Sequence, residues 1–296
     1  MKILRTPEEN FLNLEGYPFS PNYITVDGLR IHYVDSGQNE WETILLMHGE
    51  PSWSYLYRKM IPILTQKGFR VIAPDLVGFG KSDKPADQED YTYSSHVKWM
   101  GKVLSELDLK NITLVCQDWG GLIGLRLAVE QEERFKRILT ANTYLPTGEI
   151  RMPDAWLQFR DFSQKVKKLP IGKLIQNGCV SRLSPEVLRG YNSPYPDEQY
   201  KSGARKFPAL VPISKDDPEA IVNREVWKKL SLWEKPFLTA FSDSDPIMRG
   251  ADKIFQRKIP GTKNKNHTII TNAGHFLQED KGEELGEVIA KFVSET

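Results

Sequence analysis

One aspartate of this chain lies where a nucleophile is presented at a sharp turn between a strand and a helix. Residues 114–121 read LVCQDWGG, so an apolar run ends, Asp118 follows, and two glycines open a helix-like segment. Small residues beside a nucleophile permit the strained turn that exposes it. A serine is usual at this position, and an aspartate that caps a helix is the structural alternative. The pattern therefore predicts that Asp118 is a nucleophile, provided that other residues support it.

The chemical type of the nucleophile restricts the reaction. A serine that attacks a saturated carbon would form an ether, which activated water cannot cleave. A carboxylate that attacks the same carbon forms an ester, and water can attack the carbonyl of that ester with help from an oxyanion hole. Asp118 thus predicts displacement at a saturated carbon followed by ester hydrolysis. Haloalkanes and epoxides are the two substrate classes that fit.

Three further motifs follow apolar strand-like runs or precede a helix. HGEP at residues 48–51 follows the run TILLM, Asp245 lies in FSDSDP, and His275 lies in NAGHF before the last helix. The order nucleophile, acid, histidine resembles that of the α/β-hydrolases, in which two backbone N–H groups form the oxyanion hole. By this resemblance the N–H groups are those of Glu50 and Trp119. Asp243 is the alternative acid, although we expect it to shape its loop.

The leaving group separates the two substrate classes. An epoxide oxygen leaves as a basic alkoxide and needs a proton donor. Candidate donors in or near the helical insertion are Tyr144, Tyr191, Tyr195 and Tyr200. A halide needs only hydrogen bonds, and an indole N–H on an apolar ring supplies one without titrating. Trp119, directly after the nucleophile, therefore favours a halide, and an epoxide hydrolase remains the alternative.

Taken together, the motifs resemble those of the haloalkane dehalogenases over nearly the whole chain. HGEPSW (48–53) and QDWGG (117–121) are typical of one subfamily, and RKFP (205–208) and AGHF (273–276) agree with it. The resemblance implies that Asp118 is the nucleophile, Asp245 the supporting acid and His275 the base that activates water.

The same resemblance implies two tryptophans that bind halide. Trp119 matches the first, and Trp156 in the early lid matches the second. Other dehalogenases have an asparagine in the position of Glu50, which supports the subfamily with a lid tryptophan. We also expect Phe207 to line the pocket. A core role for Trp156 is the structural alternative.

These motifs require a sheet that brings strand ends together. Asp27-Gly28 predicts a hairpin turn, and later apolar runs alternate with segments of helical period. The predicted strands are Tyr23 to Val26, Ile31 to Val34, Thr43 to Met47, Arg70 to Ala73, Ile112 to Cys116, Arg137 to Ala141, Pro236 to Phe241 and Thr268 to Ile270. The predicted helices are Ser54 to Gln66, one from Ser95, one from Gly120, and Glu279 to Val293. The pattern predicts an α/β-hydrolase fold with a mostly parallel sheet flanked by helices.

The alternation of strands and helices stops for about 70 residues. Helix starts such as Ser184-Pro185 occur there, but no strand pattern does. We expect residues 1–145 and 215–296 to form the α/β core and 146–214 a helical cap. Such an insertion would cover the ligand crevice at the carboxyl edge of the sheet.

Composition limits the partners. The net charge is +1, so neither a nucleic acid nor a membrane surface is expected as a partner. Cys116 and Cys179 do not suggest a disulfide framework, no apolar run approaches a membrane span, and a cytoplasmic location is expected. The remaining histidines lack metal-ligand spacing, so we expect no metal and no cofactor. The expected partners are a small haloalkane and halide ion, bound by a monomer. The non-enzymatic alternative is a protein with a hydrolase fold that has lost its catalytic activity and binds a small molecule as a receptor.

Overall fold

A twisted sheet of eight strands forms the centre of the molecule. The computed structural model describes residues 1–38 and 42–296. The strands of the sheet are β2 (Asn22–Val26), β3 (Leu29–Ser36), β4 (Thr43–Met47), β5 (Arg70–Pro74), β7 (Ile112–Gln117), β8 (Phe135–Ala141), β9 (Phe237–Ser242) and β10 (Thr268–Ile270). Their order across the sheet is β10-β9-β8-β7-β4-β5-β3-β2. Strand β3 is antiparallel to β2 and to β5, and the other pairs are parallel. The prediction of a mostly parallel sheet is confirmed.

The central strands have the sequences that a covered parallel sheet requires. All residues of β4 and β7 are buried, and Leu45 pairs with Leu114 in the register between them. A strand buried on both faces reads as a continuous apolar run. At the edge of the sheet, Asp27 and Gly28 both have positive φ and connect β2 to β3, as a tight hairpin turn demands.

Helices cover both faces of the sheet. They are α1 (Ile61–Gln66), α2 (Tyr93–Glu106), α3 (Trp119–Glu130), α4 (Asp154–Lys165), α5 (Ile171–Asn177), α6 (Pro185–Asn192), α7 (Ser202–Leu210), α8 (Pro218–Leu230), α9 (Ala251–Lys258) and α10 (Leu277–Ser294). Helix α3 packs against α2 and α8, and α1 packs against α10. Thr92, Ser184 and Asp217 cap α2, α6 and α8 with side-chain oxygens.

The predicted helix over residues 54–66 is wrong in detail. The segment is a 3₁₀ turn at Ser54–Tyr57 followed by the separate helix α1, which has Pro62 in its first turn. A proline inside one continuous helix would remove a hydrogen bond and clash with the preceding turn, whereas the first turn tolerates it. Helix α2 also starts earlier than predicted, because Thr92 and not Ser95 is the cap.

Helices α4 to α7 lie between β8 and α8, where the sequence shows no strand pattern. Within this part of the described chain, α4 packs against α7 and α5 against α6. A short pairing was not predicted: β1 (Ile3–Leu4) is antiparallel to β6 (Lys84–Pro85). Two residues per strand are too few to produce a readable period.

Candidate active site

Asp118 lies on a strained turn between β7 and α3. Its backbone has φ 49° and ψ −127°, a conformation that residues with a Cβ rarely adopt. The chain passes so close to β4 that a Cβ on Gly120 would be 1.9 Å from the carbonyl oxygen of Met47. A Cβ on Gly121 would be 2.0 Å from the Thr143 hydroxyl. The glycines after Asp118 are therefore required by the turn, as a nucleophile elbow requires.

The Asp118 carboxylate is held by the loop that follows β4. The backbone N–H of Glu50 donates to Asp118 Oδ1 at 2.8 Å. Gly49 permits this approach, since a Cβ there would be 2.2 Å from the same oxygen. One of the two predicted oxyanion donors thus already faces the carboxylate. The donor role of the Trp119 N–H stays a prediction.

His275 lies between the two aspartates that were predicted as its partners. Its Nδ1 is 2.7 Å from Asp245 Oδ2, and its Nε2 is 3.6 Å from Asp118 Oδ2. The other oxygen of Asp245 accepts hydrogen bonds from the backbone N–H groups of Ile247 and Met248. Asp243 is exposed and accepts bonds from the backbone of residues 272 and 273, so it shapes the loop.

The buried charges change the proton affinities of the site. Burial alone would lower the pKa of His275, but the carboxylates of Asp245 and Asp118 raise it to about 10. Burial works to raise the pKa of Asp245, and His275 with the backbone N–H groups of the turn lowers it overall. Burial and the nearby Asp118 charge raise the pKa of the Glu50 carboxyl well above its usual range. The arrangement thus favours the protonated forms of His275 and Glu50.

A cavity of about 880 Å³ opens above these groups. Asp118, His275, Trp119 and Glu50 form its floor, and Trp156 on α4 lines it together with other residues of the helical segment. Most of the lining is apolar, which is typical of a site for a small, largely apolar ligand. Trp119 and Trp156 are thus brought to one cavity by elements that are distant in sequence.

The prediction that Phe207 lines the pocket is wrong. Phe207 is fully buried on α7 and is not among the lining residues of the described chain, whereas its neighbours Pro208 and Val211 are. Its ring packs against Trp119, with 4.7 Å between the centroids, and against His96 and Phe79. Phe207 therefore packs against the Trp119 indole instead of lining the cavity, because the docking of α7 directs its ring towards Trp119.

Two supporting residues were not assigned a role from the sequence. The Asn142 amide, directly after β8, donates to Ser242 Oγ and to the carbonyls of Gly274 and His275. The Gln117 amide, at the end of β7, lies 3.0 Å from His275 Nε2 and 3.2 Å from the His275 carbonyl oxygen. Both follow or end a buried strand, and a polar residue in that position was the signal that could have identified them.

The candidate proton donors for epoxide opening are mostly turned away from the cavity. Among the described residues, Tyr144 is the only one of the four tyrosines that lines it. Tyr191 is fully buried and donates to Glu279, and the hydroxyl of Tyr195 is buried without a partner among the described residues. The geometry therefore offers indole donors more readily than a pair of phenols.

Two structural features are absent from residues 1–38 and 42–296. No group of three or more His, Cys, Asp or Glu side chains in these ranges is arranged to hold a metal ion. No helix in them is long and apolar enough to cross a membrane.

Comparisons with known proteins agree with this geometry. Residues 42–282 match a family model described as the alpha/beta hydrolase fold. A haloalkane dehalogenase of Psychrobacter cryohalolentis is 55% identical, covering 99% of this chain and 98% of that protein. One of Mycobacterium marinum is 48% identical, covering 98% of this chain and 99% of that protein. The tetrameric haloalkane dehalogenase DpaA of Paraglaciecola agarilytica has a solved structure that superimposes with a TM-score of 0.91 at 37% identity, covering 97% of each chain.

Proposed function

Since this chain belongs to the haloalkane dehalogenases of the α/β-hydrolase family, we propose that Asp118 is the nucleophile with which it displaces halide. The enzyme hydrolyses carbon–halogen bonds of haloalkanes to an alcohol, a halide ion and a proton. None of the relatives named above supports the epoxide hydrolase alternative. The observation that carries the residue assignment is the position of the Asp118 carboxylate, held by the Glu50 N–H and facing both His275 and the cavity.

The first step transfers the alkyl group to Asp118. One carboxylate oxygen attacks the carbon from the side opposite the halogen, and the carbon–halogen bond breaks with its electron pair going to the halide. The indole N–H groups of Trp119 and Trp156 are proposed to hold the departing anion, because both rings line the cavity. No proton has to be removed in this step.

The second step hydrolyses the ester. Esterification removes the negative charge of Asp118, which is one of the two charges that raise the pKa of His275. His275 can then act as the base that takes a proton from water, while Asp245 fixes the ring through Nδ1. The Glu50 N–H, and by proposal the Trp119 N–H, would stabilise the oxyanion that forms on the ester carbonyl.

The helical segment is proposed to act as a cap on the core. We assign residues 146–214 to the cap and residues 1–145 and 215–296 to the core. Helix α4 contributes Trp156 to the cavity wall, and Met152 and Phe159 lie beside it there. The cap would thus exclude water from the first step and determine which haloalkanes fit.

Location and assembly remain proposals. We propose a cytoplasmic location from the cysteine content, and we propose a monomer, whereas the related DpaA is described as a tetramer. Light scattering on the purified protein distinguishes the two assemblies by their mass.

The test of the mechanism uses His275→Gln. We expect this variant to release about one halide per protein from 1-bromobutane and then stop, with a butyl adduct on the peptide that contains Asp118. Steady-state turnover should fall by at least about 10³-fold, a magnitude typical of the loss of a general base that also organises its partners.

Two controls make the result specific. His267→Gln changes a half-buried histidine that bonds Thr239 and Thr262 instead of the site, and it should keep full turnover. Asp118→Ala should give neither halide nor adduct. A normal steady-state rate in His275→Gln contradicts the proposal. So does an unaltered protein that converts an epoxide to a diol but releases no halide from 1-bromobutane.

A further inference from the structure

The contact between Gln117 and His275 has no part in the steps described so far. Gln117 is fully buried at the end of β7, directly before Asp118. Its amide nitrogen lies 3.2 Å from the His275 carbonyl oxygen and 3.0 Å from His275 Nε2, and its amide oxygen has no partner among the described residues. The bond to the carbonyl fixes the NH₂ group on the side that faces the ring, so the second N–H points at Nε2.

The direction of this bond depends on the proton of His275. Nδ1 faces Asp245, so in the neutral ring Nδ1 carries the hydrogen and Nε2 carries the lone pair. An amide N–H can donate to that lone pair, but it cannot accept a hydrogen from a protonated Nε2. The Gln117 contact is therefore favourable with the neutral imidazole and unfavourable with the imidazolium.

The charged neighbours of His275, in contrast to Gln117, favour the protonated imidazolium form. The groups that face His275 are Asp118 at the elbow, Asp245 after β9 and Glu50 after β4, and the two aspartates favour the imidazolium. Esterification of Asp118 removes one of these charges, but Asp245 remains. A base that is to deprotonate water must be neutral at that moment, and Gln117 is the one group in contact with Nε2 that favours the neutral form among the described residues.

We propose that Gln117 is a positioning residue that keeps His275 Nε2 unprotonated until water attacks the ester, when the proton of that water displaces the Gln117 N–H from the lone pair. In this hydrolysis step the water oxygen bonds to the ester carbon and its proton passes to Nε2. The bond from that carbon to the alkoxy oxygen then breaks, the alcohol leaves with the proton, and the regenerated carboxyl group releases its own proton. This inference rests on the proposed ester route, and it concerns the second step alone.

The experiment compares Gln117→Met and Gln117→Glu by single-turnover rapid quench over a range of pH. Methionine keeps the length of the side chain but has no N–H, and a glutamate carboxylate would accept a hydrogen from a protonated Nε2. For Gln117→Met we expect halide release to change less than about 3-fold, because no base acts in the first step. One lost hydrogen bond corresponds to about 3- to 10-fold, so the pH midpoint of ester hydrolysis should rise by about 0.5–1 unit.

Two features of the pH profile separate this role from a purely structural one. Above its raised midpoint, Gln117→Met should recover to within about 3-fold of the unaltered rate. Gln117→Glu should raise the midpoint further than Gln117→Met, by more than about one unit. The matched control is Gln278→Met, which alters a second buried glutamine whose amide oxygen has no partner among the described residues, and it should leave the midpoint unchanged.

A spectroscopic measurement covers the case in which Gln117→Met folds poorly. In Asp118→Asn the carboxylate is replaced by a neutral group, as in the ester, and nuclear magnetic resonance of the ring nitrogens gives the pKa of His275. Adding Gln117→Glu to that background should raise this pKa. An unchanged midpoint, or a loss of hydrolysis that is equal at every pH, would overturn the role of Gln117. A failure of His275→Gln to form any alkyl ester on Asp118 would instead overturn the proposed mechanism.

Discussion

At the scale of single residues, the site combines one carboxylate with a backbone N–H that is already aimed at it and with an indole that is held by packing. Asp118 is fixed by the Glu50 N–H, and Trp119 is fixed by its ring contacts with Phe207 and Tyr93. Groups that are held before the reaction need not reorganise when charge develops. The halide donors are therefore expected to act through their N–H groups, separately from their packing.

Trp119→Phe and Trp156→Phe test the halide donors. Phenylalanine keeps an apolar ring but removes the N–H, and a hydrogen bond to an anion contributes about 1.5–3 kcal/mol. Each variant should lower kcat/KM for bromoalkanes by roughly 10- to 200-fold in a halide-release assay. Trp233→Phe is the control, because that indole N–H is buried without a partner among the described residues and does not line the cavity. If Trp156→Phe behaves like the control, Trp156 is only a core residue.

At the scale of elements, close approach between β4, β7 and α3 sets the position of Asp118. The loop after β4 lies against the start of α3 so tightly that only glycine fits at positions 49 and 120. A buried network supports the same loop: His48 Nδ1 is 3.0 Å from the Gly49 carbonyl oxygen, and His48 Nε2 accepts from the Leu76 N–H. Local backbone geometry and the chemistry of Asp118 are thus linked.

Two helical glycines give a matched test of this approach. Gly120→Ala would place a Cβ 1.9 Å from a backbone oxygen, so the elbow must shift and stability should fall by about 2–4 kcal/mol with loss of activity. Gly286→Ala in α10 meets Ile63 at 3.4 Å, an ordinary contact, and should gain up to about 1 kcal/mol from helix propensity. Urea unfolding measures both. Equal effects at the two positions would contradict the argument.

The buried Asp75 provides a pH test at the same scale. Burial would raise the pKa of Asp75, but His32, His48 and the Ser54 N–H lower it from 3.8 to about 2. A lowered acid pKa stabilises the folded state above about pH 4, and this stabilisation disappears as the pH falls towards 2. Asp75→Asn should therefore cost about 2 kcal/mol at pH 7 and progressively less below pH 4 in denaturant unfolding. A difference that does not depend on pH would show that lost packing, not charge, is responsible.

At the scale of the whole molecule, a buried ionic cluster joins the core to the helical segment. Glu279 on α10 is paired with Arg58 and accepts a hydrogen bond from Tyr191 on α6. The Arg58 and Glu279 side chains are almost completely buried. Removal of one member leaves the other charge unpaired in the interior, which is costly. The cluster therefore contributes to the position of α6 relative to the sheet.

Glu279→Gln tests how much this buried ionic cluster contributes to stability. The change keeps the shape but leaves Arg58 without a countercharge, and we expect a loss on the order of 3 kcal/mol in chemical unfolding. Glu225→Gln removes a carboxylate from the exposed pair with Lys228 and should cost less than about 1 kcal/mol. Similar losses of unfolding free energy for the two variants would show that the buried cluster stabilises the protein no more than an exposed ion pair does.

Much of the fold was predictable because it depends on local patterns. The continuous apolar runs of β4 and β7 and the turn at Asp27-Gly28 appear in the structure as predicted. The errors lie where local patterns compete or are too short. Pro62 divides a helix-like stretch into two pieces, and the β1–β6 pairing is only two residues long.

The sequence by itself determined which groups are available and where the backbone turns. Asp118, Asp245 and His275 each follow an apolar run or precede a helix, and those local signals need no knowledge of distant residues. Only the tertiary structure decided which side chains meet. Gln117 and His275 are 158 positions apart in the chain, and strand order brings them into contact. Phe207 faces Trp119 instead of the cavity because the docking of α7 sets its direction, and packing between distant elements cannot be read from a local period.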